Sequence, residues 1–186
     1  MNTPEKIAQA YIRLNGFFTI PHFTILKEQW RHIDLLAVRL GGSSEKVGIV
    51  SNQTTLKIDE YLLSKLGVSI DDTIGLIIEV KGSERKPAKV DGIKFAYAKL
   101  FFGNINRIKK VGFENIENLE IIKKRDHVII SLKYCIRFIK KRFSELKRIE
   151  QNLRGRGMLS KEGSWALSEE FLSDLIFLEK LDSANN

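Results

Sequence analysis

One cysteine, three prolines and three histidines are all that the 186 residues contain of these types. Cys135 stands alone, so no intrachain disulfide can form, which excludes a disulfide scaffold and fits a reducing cytoplasm. One cysteine with three scattered histidines offers no zinc-ligand spacing. Scarce proline beside 43% hydrophobic residues excludes disorder and collagen. No apolar run approaches the roughly 20 residues of a membrane span, because Lys133 and Arg137 interrupt the best candidate, residues 128–139. The N-terminal residues Met1 to Glu5 do not look like a signal peptide. No P-loop, no glycine-rich dinucleotide turn and no serine, histidine and aspartate set is found. Acids are the last shortage: 23 against 31 lysines and arginines leave a net charge of +8. That excess favours a polyanionic partner, nucleic acid first.

What is present suffices for one soluble globular domain, since a chain of this length buries roughly 70% of its unfolded surface. Thr3 suits an N-cap, Pro4 the first helical position and Glu5 the positive end of the helix dipole. Ile7, Tyr11 and Leu14 then recur at helical spacing, so a helix is expected over 4–14, stopped by Asn15 and Gly16. Residues 17–26 are aromatic and β-branched and read as a strand, with Pro21 marking a bulge or an edge. Residues 31–40 read as a second strand with Asp34 as its anomaly. Residues 41–72 are more polar, carry a helix over 55–66 and read as an insertion. Residues 73–81 form a nearly continuous apolar strand that ends in Glu79 and Lys81. A helix over 88–102 and short strands over 105–113 and 119–123 follow. From about residue 126 the chain reads as helical, with a seam through Ile129, Leu132, Ile136, Ile139, Phe143, Leu146 and Leu153. It either docks on the sheet or pairs two copies of the chain. A last helix is expected over 166–181. Interleaved strands and helices indicate an α/β or α+β fold, a mixed sheet flanked by helices.

Chemistry concentrates at the end of the 73–81 strand. Alternation puts Glu79 and Lys81 on one face, with Cα atoms about 6.6 Å apart. An acid and a base at the end of a buried strand are costly unless paired or ligated. Asp34 poses the same problem on the neighbouring strand. Two carboxylates brought together repel, and a hard cation such as Mg²⁺ relieves that repulsion through one or two carboxylate oxygens.

Ile33 and Asp34, then Glu79, Val80 and Lys81 after an apolar strand, behind a helix carrying Glu5, resemble the PD-(D/E)XK nuclease superfamily, including its Holliday-junction-resolvase-like members. The resemblance covers residues 1–125 and implies a restriction endonuclease-like αβββαβ core that hydrolyses DNA phosphodiester bonds with Mg²⁺ or Mn²⁺. It implies Asp34 and Glu79 as metal ligands, the Val80 carbonyl as a further ligand, Lys81 as the catalytic lysine and Glu5 as an added acid. Ile33 stands where the motif has proline, and Asp34 and Glu79 lie 45 residues apart, which 41–72 as an insertion accommodates. Residues 126–186 then form a helical C-terminal extension.

Arg85, Lys86, Lys89 and Lys94 follow the motif and suit a phosphate backbone, as do the cations at 107–110 and 123–125. Those of 133–148 fall largely off the helical seam and suit either a solvated face or DNA. Plainer readings stand beside these. Glu79 with Lys81 also fits a solvated ion pair, Asp34 a backbone acceptor and Glu5 a residue that favours a helix start. His32 lies on the face of Asp34, and Gln9 one turn after Glu5. The whole chain also fits a basic module that binds nucleic acid without cutting, and an RNA-directed nuclease uses the same residues.

Overall fold

A computed structural model describes residues 1–25, 31–43, 46–49, 52–82, 87–118 and 120–155. The chain opens with α1 (Thr3–Arg13), β1 (Phe18–Ile25) and β2 (Arg31–Arg39). A small hairpin, β3 (Lys46–Ile49) and β4 (Asn52–Thr55), leads to α2 (Glu60–Leu66) and β5 (Ile74–Lys81). Then come α3 (Gly92–Phe102), β6 (Ile108–Glu114), β7 (Ile121–Lys123), β8 (His127–Ser131) and α4 (Leu132–Gly155). The expected helix at 166–181 lies outside the described residues.

Local chemistry sets the helix limits. Asn2, not Thr3, caps α1: its side chain accepts the Glu5 N–H, and the Glu5 carboxylate accepts the Asn2 N–H in return. Asp59 caps α2, which ends at Gly67 in the left-handed conformation at φ 66°. Asp91 caps α3 by accepting the Lys94 N–H. The helix expected over 55–66 thus starts at residue 60, because β4 takes up residues 52–55.

Six strands form one mixed sheet in the order β1-β2-β5-β6-β8-β7. β1, β2 and β5 alternate in direction, β6 and β8 run parallel to β5, and β7 closes the far edge antiparallel to β8. The β3–β4 hairpin is a separate two-stranded sheet between β2 and β5, which are themselves neighbours. Residues 127–131, expected as the start of the C-terminal helix, are a strand inside the sheet, so the boundary expected at residue 125 falls between two sheet strands and the helix begins at Leu132. Ile129, placed at the head of the helical seam by spacing, is therefore a sheet residue.

Each face of the sheet has its own core. Leu35, Ala37, Leu76, Ile78 and Val80 pack with α1, with Leu62 and Leu66 of α2, and with Leu132, Cys135 and Ile139 of α4. Leu36 and Ile77, of opposite parity, pack beneath Ala98 and Phe102 of α3. α4 docks on its own chain through this seam. Among the described residues no helix is long and apolar enough to cross a membrane.

The ladders differ in length at one end of the sheet. β2 pairs with β5 only as far as Leu35 opposite Ile78, whereas β5 pairs with β6 on to Lys81 opposite Glu114, and β1 with β2 on to Ile25 opposite Arg31. Past Ile78, β2 and β5 no longer share backbone bonds.

Candidate active site

Asp34 is the first residue beyond that break. Its carboxylate replaces the missing ladder bond: Oδ2 accepts the Val80 N–H at 2.7 Å. Its Oδ1 stands 3.4 Å from Nε2 of His32. Asp34 is 4% exposed and Glu79 3%, so two carboxylates are buried where the strands part. Glu79 projects to the α3 face, in the parity of Ile77. There Lys94 Nζ meets Glu79 Oε1 at 2.6 Å.

Burial pushes the Glu79 carboxyl above its ordinary range; the Lys94 bond opposes the shift, and the charge of Asp34 adds to it. Lys81 also lowers it, so its ammonium is close enough to be felt. Lys81 itself is half-buried and has no hydrogen-bond or ion-pair partner among the described residues. A buried carboxylate offers about four acceptor positions. Among the described residues, Asp34 and Glu79 each fill one with a hydrogen bond.

The first turn of α1 closes the same end of the sheet. A Cβ at Gly82 would lie 2.7 Å from Pro4 Cγ, so the helix start rests on bare backbone just past Lys81. Glu5 is 7% exposed, and both its oxygens are engaged by Asn2, through the backbone N–H and Nδ2. His22 Nε2 lies 3.6 Å from Glu5 Oε2. His22 holds φ at 51°, the only non-glycine residue at positive φ among those described. The β1–β2 ladder skips it at the position across from Asp34, one residue after Pro21. Its ring centroid is 6.3 Å from that of His32. Glu5, His22, His32 and Asp34 thus form a row leading to the strand break.

Sequence spacing therefore brings together Asp34, Glu79, the backbone of Val80 and Lys81, with His32 beside them. Glu5 reaches the same end of the sheet but is spent on its own helix cap. Gln9 donates to Thr19 Oγ1 at 3.0 Å. Lys89 is exposed, whereas Lys94, grouped with it by sequence, turns inward onto Glu79. Arg85 and Lys86 lie outside the described residues. Sequence reasoning missed the role of Lys94 as a counter-ion; its position three residues after the helix cap Asp91 was legible, its partner 15 residues away was not.

Among the described residues no three histidine, cysteine, aspartate or glutamate side chains close up as a metal cage. Mg²⁺ needs no such cage, since one or two carboxylates plus waters and substrate oxygens suffice. Asp34 and Glu79, with unfilled acceptor positions and a mutual repulsion to relieve, fit that donor set.

A second buried carboxylate cluster lies on the α1 and α4 face. Asp59 Oδ2 accepts the hydroxyls of Tyr11 at 2.7 Å and Tyr134 at 2.8 Å. Its Oδ1 accepts the Tyr61 and Leu62 N–H groups, and its own N–H donates to Asn15 Oδ1. Burial, then the Asp59 charge, raises the Tyr11 hydroxyl well above its usual range. The cluster ties the segment before α2 to α1 and α4. Arg142 is likewise buried, at 3% exposure; it bonds to Glu145 and the Lys57 carbonyl and packs over the Phe138 ring. Spacing had grouped it with the cations of 133–148, which suit either a solvated face or DNA.

The chain matches no family model, no curated protein and no solved structure.

Proposed function

We propose that this protein is a divalent-metal-dependent nuclease of PD-(D/E)XK type that hydrolyses DNA phosphodiester bonds. One observation carries the reading: two buried carboxylates, Asp34 and Glu79, lie where β2 and β5 part, each accepting one hydrogen bond among the described residues, with Lys81, unpaired among those residues, near enough to act on Glu79. Element order supports it. With the β3–β4 hairpin and α2 set aside, α1, β1, β2, β5, α3 and β6 follow the αβββαβ order of the restriction endonuclease-like core.

In this reading Asp34 and Glu79 hold Mg²⁺ or Mn²⁺, and the Val80 N–H fixes the Asp34 carboxylate in place. A bound ion supplies Lewis-acid polarisation of the phosphate and lowers the pKa of water. Lys81 orients the attacking water and offsets charge building on the phosphate. The attacking water gives up a proton to solvent as its oxygen bonds to phosphorus and the phosphorus–oxygen bond to the leaving strand breaks, and the leaving oxygen takes up a proton from solvent. His22 stores backbone strain opposite Asp34, and strain of this sort clusters at functional sites.

The Glu79–Lys94 ion pair favours a second reading, in which the fold binds nucleic acid without cutting, because it supplies Glu79 with a cation that is not a metal. Incubation of the protein with plasmid, linear duplex, single-stranded DNA, a four-way junction and RNA, with Mg²⁺, Mn²⁺ or EDTA, separates them. The nuclease reading expects metal-dependent cleavage, lost in Lys81→Ala and Asp34→Ala. Absence of cleavage together with salt-sensitive binding would leave the binding module.

A further inference from the structure

The densest positive charge among the described cavities is not at the carboxylate site. A cleft of about 370 Å³ opens where β6 and β8 begin, bounded by α2 and by Phe95 of α3. Six cations line it, Lys65, Lys109, Lys110, Lys123, Lys124 and Arg125, against one carboxylate, Asp126. Asp126 is already committed: it accepts from Lys110 Nζ at 3.1 Å and stands 2.8 Å from His127 Nδ1. Lys110 is further fixed over the Phe95 ring, 5.0 Å from its centroid. Lys109, Lys123, Lys124 and Arg125 have no acidic partner among the described residues, and the last three are exposed on the β7–β8 turn. Like charges held this close repel, and among the described residues no acid offsets these four. A row of phosphates would.

The geometry relates this cleft to the carboxylates. β5, β6 and β8 run parallel; Glu79 lies level with Gly112, and Lys110 and His127 lie two residues back, level with Ile77. The turn at 124–126 lies further back still. At about 3.3 Å per strand residue and 4.8 Å per strand, it stands roughly 14–18 Å from Glu79. α3 lies between, giving Lys94 to Glu79 and Phe95 to the cleft.

We propose that this cleft is a second phosphate-backbone site, which grips DNA about four to five nucleotides from the phosphate held at Asp34 and Glu79. The spacing follows from that distance at about 3.4 Å per nucleotide of a strand. The proposal rests on the nucleic-acid reading of the carboxylate site, but it is scored by binding in EDTA, where no cleavage is required.

The test compares wild type with a Lys123→Ala, Lys124→Ala, Arg125→Ala variant by fluorescence anisotropy on labelled duplexes of 4, 8, 12 and 16 base pairs, from 50 to 200 mM salt. A control variant, Lys133→Ala, Arg137→Ala, Lys141→Ala, removes the same charge from exposed positions of α4. Thermal unfolding confirms that each variant is folded. Wild type should gain affinity steeply between 4 and 12 base pairs. The cleft variant should lose that gain, binding the 16-mer at least tenfold more weakly, with a salt slope shallower by about two to three, and the 4-mer as before. An unchanged 16-mer affinity and slope would overturn the proposal. So would an equal loss on the 4-mer, or the same loss in the control, since each would reduce the cleft to bulk charge. Cleavage activity enters neither outcome, so a failed nuclease reading and a failed cleft are told apart.

Discussion

Two buried aspartates, one capping α2 and one at the strand break, are treated very differently. Asp59 fills four acceptor positions with two tyrosine hydroxyls and two helix N–H groups. Asp34 accepts one hydrogen bond among the described residues, from Val80, and its neighbour Glu79 one, from Lys94. A filled carboxylate is a structural clamp, because every charge-assisted bond it makes favours the folded state. An under-filled pair, with one carboxyl pushed up by burial, weakens the fold to keep acceptor positions open. On the proposed reading, the difference separates a carboxylate that holds the fold together from a pair left open for a ligand.

The comparison is broken most directly by removing each carboxylate. Asp59→Ala orphans the buried Tyr11 hydroxyl and the first turn of α2, and should cost about 3–5 kcal/mol in urea unfolding. Asp34→Asn and Glu79→Gln should instead leave stability within about 1 kcal/mol of wild type, or above it, while abolishing metal-dependent cleavage. If all three variants lose stability alike, the distinction fails.

A smaller effect is expected at Gly112, level with Glu79. A Cβ there would lie 2.5 Å from the Ala88 carbonyl and 2.6 Å from Ile129 Cδ1. Gly112→Ala should cost about 1–3 kcal/mol and lower cleavage as well, since the Ala88 segment leads into α3 and Lys94.

pH sharpens the contrast further. The folded Glu79 carboxyl is raised above the ordinary value of 4.5, so the folded state binds the proton more readily than the unfolded one. Its contribution to stability is therefore present below about 4.5 and lost as pH rises through the folded value. Metal binding needs the ionised form, so cleavage should rise over that same window. Lys94→Met removes the main opposing influence and should move the midpoint of the activity profile to higher pH; an unmoved midpoint would detach Lys94 from the site. The smallest effect concerns Asp126, held at about 2 by His127 and Lys110. Its stabilising share is present above about 3.8 and fades only as pH falls toward 2, which a carboxyl carbon NMR titration would follow.

Much of this arrangement was readable from local pattern. The apolar run ending in Glu79 and Lys81 gave β5 and its facing parity, and Asp34 stood out as a charge inside a strand. Other parts were hidden for physical reasons. His127 to Ser131 run straight into the apolar stripe of α4, and periodicity alone cannot divide a short buried strand from the first turn of a helix. Lys46 to Ile49 and Asn52 to Thr55 are too short and too polar to stand out. Asp59 falls inside the helix expected over 55–66, and only the fold makes it a cap and brings Tyr11 and Tyr134, 48 and 75 residues away, to its second oxygen. Arg142 reads as one more cation of a solvated or DNA-facing cluster until α4 is laid against the segment before α2.

The bond from the Val80 amide to Asp34 spans 46 residues. Closing so long a loop carries an entropic cost that nearby contacts must recover before the bond is worth making. The long loop predicts that the site is assembled late in folding, after β2 and β5 have found each other across the hairpin and α2. Native-state hydrogen exchange checks this: the Val80 amide should open in a smaller step than the β5 amides inside the ladders with β2 and β6, and opening only with the whole domain would overturn it.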